Sequence, residues 1–200
     1  MSNFKLKTMK TIKTMKTIKL LALFFVSSLA ILSCSSDDDG DHDDHDHEEE
    51  LITTVIYTLT NDADAADIVT LTFTDLDGEG GADGTFGISL PLTSNATYSG
   101  TMQLLNATES PAEDITEEVE EEGEEHEFFY TNTAGLTITK TDVDANGNPL
   151  GIETTVATGA AGTGTVTVIL KHEPTKPNDN TASGAGGSTD VEVSFPIEVQ

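Results

Sequence analysis

Residues 51–200 predict an all-β fold, and three observations carry that prediction. Apolar residues recur there with period two, as in Val69, Leu71 and Phe73 or in Val166, Val168 and Leu170, which places each set on one face of a strand. Turn signals such as Asp75-Leu76-Asp77-Gly78 cut these runs at short intervals. The composition, with 16 of the chain's 17 glycines, many threonines and no tryptophan, suits short strands and tight turns better than helices.

The strands are expected in order as follows. Residues 51–60 open the series with Leu51, Val55, Tyr57 and Leu59 on one face. A strand through Val69–Phe73 follows and breaks over residues 75–81. Residues 85–90 and 97–106 come next, the latter with Tyr98, Met102 and Leu104 inward. Residues 127–132, 135–140, 151–158 and 164–172 continue the pattern, and 190–199 closes it with Val191, Val193, Phe195 and Ile197 alternating. Many short strands of this kind describe an antiparallel, immunoglobulin-like sandwich. One segment departs from it. Ser110-Pro111-Ala112-Glu113 spells a capping box with proline at the first helical position, predicting one short acidic helix over 111–122 that ends at Gly123. Ile115 and Val119 are its apolar pair, which suits a helix laid across one sandwich edge. Its glutamates have no lysine partners, so like charges four apart weaken it.

The first 33 residues read as a removable leader. Lys5, Lys7, Lys10, Lys13, Lys16 and Lys19 precede an apolar run over 20–32, and Ser33 supplies the small residue before a cut. That run is shorter than the roughly 20 residues a spanning helix needs. Ile31-Leu32-Ser33-Cys34 resembles a bacterial lipobox, which implies lipidation of Cys34, a new N-terminus there and an anchor that does not span the membrane. Ser35-Ser36-Asp37-Asp38-Asp39 is similar to the acidic export signal of Bacteroidota surface lipoproteins. The resemblance implies a lipid-anchored outer-membrane protein facing the cell exterior.

Charge divides the chain sharply. The nine basic residues are all lysine, and six of them precede Cys34. All 36 acidic residues follow it, so three lysines stand against 36 acids and the mature chain would carry −33. Such a polyanion repels nucleic acid and attracts cations. Residues 35–50 hold no apolar side chain and predict, with Cys34, a disordered acidic and histidine-bearing tether over 34–50. With the only cysteine assigned to lipid, no disulfide and no thiolate metal site remain. The 150 residues after the tether are enough for one domain that buries about two thirds of its unfolded surface.

Three patterns point to cations. His42, His45 and His47 alternate with carboxylates in the tether, and neutral imidazoles so spaced can converge on Zn(II), Cu(II) or Ni(II) without a fold. A solvated acidic spacer is the competing reading. His126 and His172 are the histidines of the domain, each beside glutamates (Glu124, Glu125 and Glu127; Glu173). If their strands are neighbours, they form a two-histidine site assisted by carboxylate; otherwise they are surface imidazoles. Asp142, Asp144, Asn146, Gly147 and Glu153 match the spacing of a calcium loop, whose oxygen ligands alternate around a sharp turn. The flanks read as strands rather than helices, which favours a hairpin turn over an EF-hand. Asp75, Asp77 and Glu79 are a shorter version of the same pattern.

For catalysis the inventory is thin. The chain has no free thiol, no Gly-x-Ser-x-Gly and no arginine to clamp an anionic substrate, so an enzyme is not expected.

Several segments carry a wider resemblance. Glu48–Thr54, Asp75–Gly78, Pro111–Glu118, Glu124–His126, Lys171–Pro174 and the closing strand with Phe195-Pro196-Ile197 are similar to a small family of uncharacterised Bacteroidota lipoproteins. Members are often described as type 1 periplasmic binding fold proteins, a larger two-domain α/β architecture, whereas the strand pattern here implies the sandwich. Two functions are therefore expected. One is a surface binding module that captures divalent metal (Zn, Cu or Ca) for an outer-membrane uptake receptor. The other is a structural display module that contacts other surface proteins and has no metal role.

Overall fold

The computed structural model describes residues 51–78 and 81–200. The expected leader, Cys34 and the tether histidines His42, His45 and His47 lie outside the described residues, as does Glu79. The described elements are β1 Thr54–Asn61, β2 Asp64–Thr74, β3 Thr85–Ile88, β4 Thr97–Asn106, β5 Glu113–Asp114, α1 Ile115–Glu121, β6 His126–Asn132, β7 Thr137–Lys140, β8 Glu153–Ala157, β9 Gly162–His172, α2 Ala182–Ala185 and β10 Ser188–Val199.

The strands form an antiparallel sandwich. One sheet runs β3-β2-β1-β4-β8-β7 with β5 added to β4, and the other runs β10-β9-β6. The series β1-β4-β8-β7 and β6-β9-β10 reproduces the A-B-E-D and C-F-G orders of an immunoglobulin constant-type sandwich. β2 and β3 widen the first sheet beyond the strand in the A position.

Period-two patterning explains the core. Val55, Tyr57 and Leu59 of β1 and Tyr98, Met102 and Leu104 of β4 share it with Phe128, Val166, Val168, Leu170 and Phe195 of the other sheet. Each such side chain contributes about 1.5–3 kcal/mol on burial, most of which chain entropy offsets. Gly100 keeps a gap in the inner face of β4. A Cβ there would lie 2.4 Å from Thr154 Oγ1 and 2.8 Å from the Tyr57 ring. The Tyr57 hydroxyl fills that gap and meets Thr154 Oγ1 at 2.6 Å.

The structure corrects several boundaries. Leu51 is 55% exposed and does not join the β1 core face, because pairing with β2 and β4 begins only at Thr54. The capping box at Ser110 does not form. Glu113 and Asp114 pair instead with Asn106 and Leu105 of β4, and the Asp114 carboxylate accepts from the Thr116 N–H at 3.0 Å as the true cap of α1. Ile115 and Val119 are buried as their spacing requires. The Thr116 hydroxyl accepts from Leu104 N–H at 2.8 Å, docking α1 on β4 beyond Thr101, where pairing with β8 stops. The short helix α2, capped by Thr181, has no apolar periodicity and was not legible. In β10 the expected alternation of Val191, Val193, Phe195 and Ile197 holds, and a bulge between Thr189 and Val191 precedes it.

Candidate metal centre

β6 and β9 are neighbours, and their register places His126 directly opposite His172. His126 shares a face with the core residue Phe128, and His172 shares one with Leu170, so both imidazoles point into the sandwich end. Their rings stack with centroids 4.8 Å apart and planes inclined by 24°. Both residues are buried.

A third donor comes from β10. Ser188 faces His172 and Thr189 faces Lys171, but the next partner of β9, Leu170, faces Val191. Asp190 is therefore the extra residue of the bulge. Strict alternation would send it to the face opposite Val191; the bulge re-aims it. Its carboxylate Oδ2 lies 3.8 Å from His126 Nε2, with side-chain exposure of 3%. Ligand atoms of His126, His172 and Asp190 all lie within 4.8 Å of one another. A second triplet, Glu125, His172 and Glu173, shares His172 and opens toward solvent. Glu125 Oε2 stands 3.8 Å from His172 Nε2.

The surrounding backbone orients these groups. His126 Nδ1 lies 3.2 Å from the Glu122 carbonyl, which can only accept, so Nδ1 donates there and Nε2 is the ring nitrogen turned toward Asp190. The Glu173 N–H donates to the Glu125 carbonyl at 2.6 Å and ties the two donor segments together. Glu173 takes φ +52°, a left-handed conformation that costs a non-glycine residue roughly 1–2 kcal/mol. Gly187, at φ +70°, completes the return toward β10; a Cβ there would stand 2.1 Å from the His172 carbonyl oxygen. Lys171, between Leu170 and His172, donates from Nζ to the Gly187 carbonyl and to Thr189 Oγ1, both at 2.9 Å.

The donor types are those of a divalent transition ion, and the spread of up to 4.8 Å among them would have to contract around it. Zinc bonded to nitrogen and oxygen at about 2.0–2.1 Å holds tetrahedral donors about 3.4 Å apart, so the 3.8 Å gaps close with shifts of a few tenths of an ångström. Two imidazoles with one or two carboxylates are borderline donors that suit zinc or copper better than calcium.

The Asp142 loop is the hairpin turn that its strand-like flanks favoured, and its carboxylates serve that turn. It connects β7 to β8 as a hairpin. Asp142 Oδ1 and Oδ2 accept from the Gly151 and Ile152 N–H groups, each at 2.8 Å. Asp144 Oδ1 accepts from Asn146 N–H at 2.9 Å and Asn148 N–H at 2.8 Å, while Oδ2 pairs with Lys176 Nζ at 3.1 Å. Burial pushes the Asp144 carboxyl up, but the Asn148 and Lys176 contacts outweigh it and hold it below the usual carboxylate range. A cation would have to displace a buried ammonium, because these oxygens already serve the turn. Asn146 and Glu153 are exposed.

Sequence reasoning named His126, His172 and the adjoining glutamates but missed Asp190. The only signal for it was an acid at the start of a strand, and alternation pointed it away. Comparison with family models, curated proteins and solved structures returned no match.

Proposed function

We propose that the domain binds one divalent transition metal ion, zinc first by donor chemistry, through His126, His172 and Asp190 with Glu125 at the solvent side. The observation that carries this reading is the register pairing of two buried histidines beside an aspartate that a bulge turns toward them. The same reading makes the chain a lipoprotein held at the outer membrane through Cys34, facing outward and collecting metal for an uptake receptor. His42, His45 and His47 would act as a first, looser collector. Charge favours the role. Each of the three lysines after Cys34 is turned inward, Lys140 and Lys176 with side-chain exposures of 8% and 5% and Lys171 with 9% of the residue exposed. The exterior that remains is anionic and concentrates cations near the site. No helix among the described residues is long and apolar enough to cross a membrane, and attachment would rest on the lipid.

The test is calorimetric titration of Zn(II) and Cu(II) into the full mature chain and two variants. One variant replaces His126 and His172 by alanine; the other replaces His42, His45 and His47. The expected result is a tight one-ion step that the tether variant keeps and the His126/His172 variant loses. Loss of the step only in the tether variant would move metal capture out of the domain. Silence in all three would leave the display role standing.

A further inference from the structure

A second buried cluster is built on Glu127 of β6, the residue after His126, whose side chain alternation sends to the other face of the strand. The side chain of Glu127 is 2% exposed, and its two oxygens hold two different groups. Oε1 accepts from Lys140 Nζ of β7 at 2.5 Å, and Oε2 accepts from the carboxamide Nδ2 of Asn178 at 2.7 Å. Lys140 is 8% exposed and its nitrogen sits 4.3 Å above the Phe129 ring centre. The carboxamide is fixed as well. Its Nδ2 also donates to the Thr175 carbonyl at 2.9 Å, and its Oδ1 accepts from the Asn180 N–H at 2.8 Å. An amine and a carboxamide thus meet on the two oxygens of one buried carboxylate.

We propose that Lys140 and Asn178 are the reactants of a self-formed amide cross-link, with Glu127 as its proton carrier. Glu127 takes a proton from the lysine ammonium, and the freed nitrogen lone pair adds to Asn178 Cγ. The displaced carbonyl electron pair rests on Oδ1, where the Asn180 N–H stabilises it. Glu127 then passes its proton to Nδ2, the carbonyl reforms, and the Cγ–Nδ2 bond breaks with its electrons on nitrogen. The second proton of the added amine leaves with that nitrogen. Net, an ammonium and a carboxamide give a secondary amide and an ammonium ion, and Glu127 returns as carboxylate. No oxidant or other reactant is needed. Burial lowers the affinity of Lys140 for its proton, with Glu127 opposing, which eases the first transfer. The flexible lysine stem allows Nζ to swing from Oε1 to the near-attack distance of about 3 Å.

The bond would tie β7 to the segment between β9 and α2, which also carries Glu173 and Lys176. A chain with one cysteine has no disulfide of its own for that purpose. The test is the intact mass of the purified mature chain, followed by proteolytic mapping. The expected mass is lighter by one ammonia than the sequence mass plus that of any lipid on Cys34, with a branched peptide joining Lys140 to Asn178. Lys140→Arg, Asn178→Ala and Glu127→Gln should each restore the sequence mass. A wild-type chain at its full sequence mass overturns the proposal, whatever the variants do, and leaves a charged hydrogen-bonded cluster. An ammonia loss that survives Lys140→Arg also overturns it, because it assigns the loss to an asparagine cyclising on its own backbone.

Discussion

Gly100 shows how one residue sets the spacing of the core. The position lies on the inner face of β4, between Tyr98 and Met102, where a larger apolar residue would satisfy the pattern. The Tyr57 ring and Thr154 occupy the space of its missing Cβ. Gly100→Ala should therefore destabilise the fold by about 1–3 kcal/mol, through overpacking rather than any loss of contact. Urea unfolding of wild type and variant measures it, and an unchanged midpoint would mean that Tyr57 has room to retreat. Asp190 makes the complementary point. Its chemistry is legible in the sequence but its direction is not, because one extra residue in a ladder reverses which face a side chain takes.

Among the elements, the segment after β9 behaves as a clasp. Lys176 donates to the Gly123 carbonyl at 2.6 Å and to Asp144 Oδ2 at 3.1 Å, joining the turn before His126 to the β7–β8 hairpin. Both partners of that ion pair are buried, at 5% and 0% side-chain exposure. Lys176→Met should cost about 3–5 kcal/mol, since it strands a buried carboxylate. Acid provides a second readout. A carboxyl held below its unfolded value contributes stability that is present above that value, about 3.9, and is lost as pH falls through the folded one. Wild-type stability should thus fall on acidification below about pH 4, and the fall should be shallower in Lys176→Met. Equal slopes in the two proteins would remove the pair from the acid response. α1 teaches a related lesson. Its apolar pair was readable from spacing, but its start was not. Glu113 and Asp114 gain ladder hydrogen bonds from β4 that a local capping box cannot match.

For the whole molecule, the proposed metal binding would be linked to folding. An ion that binds only the folded chain raises stability by RT ln(1 + [L]/Kd), about 2.7 kcal/mol at a hundredfold excess over Kd. Zinc should raise the thermal midpoint of the mature chain, and the rise should vanish in the His126/His172 alanine variant. A rise that survives in that variant would come from ions on the anionic exterior, and added salt would abolish it.

The all-β class, most strand positions, the apolar pair of α1 and the two domain histidines with their neighbouring acids were legible in the sequence. These are local properties: period two, turn residues and side-chain chemistry are written within a few neighbouring positions. That His126 faces His172 and that Asp190 turns toward them came from the tertiary structure. It also decided that Lys140 and Asn178 share Glu127. Those facts depend on sheet order, strand register and one bulge, which bring together residues from separate strands and loops. No short stretch of sequence carries them, because the pairing energy that selects them is spread over whole strands.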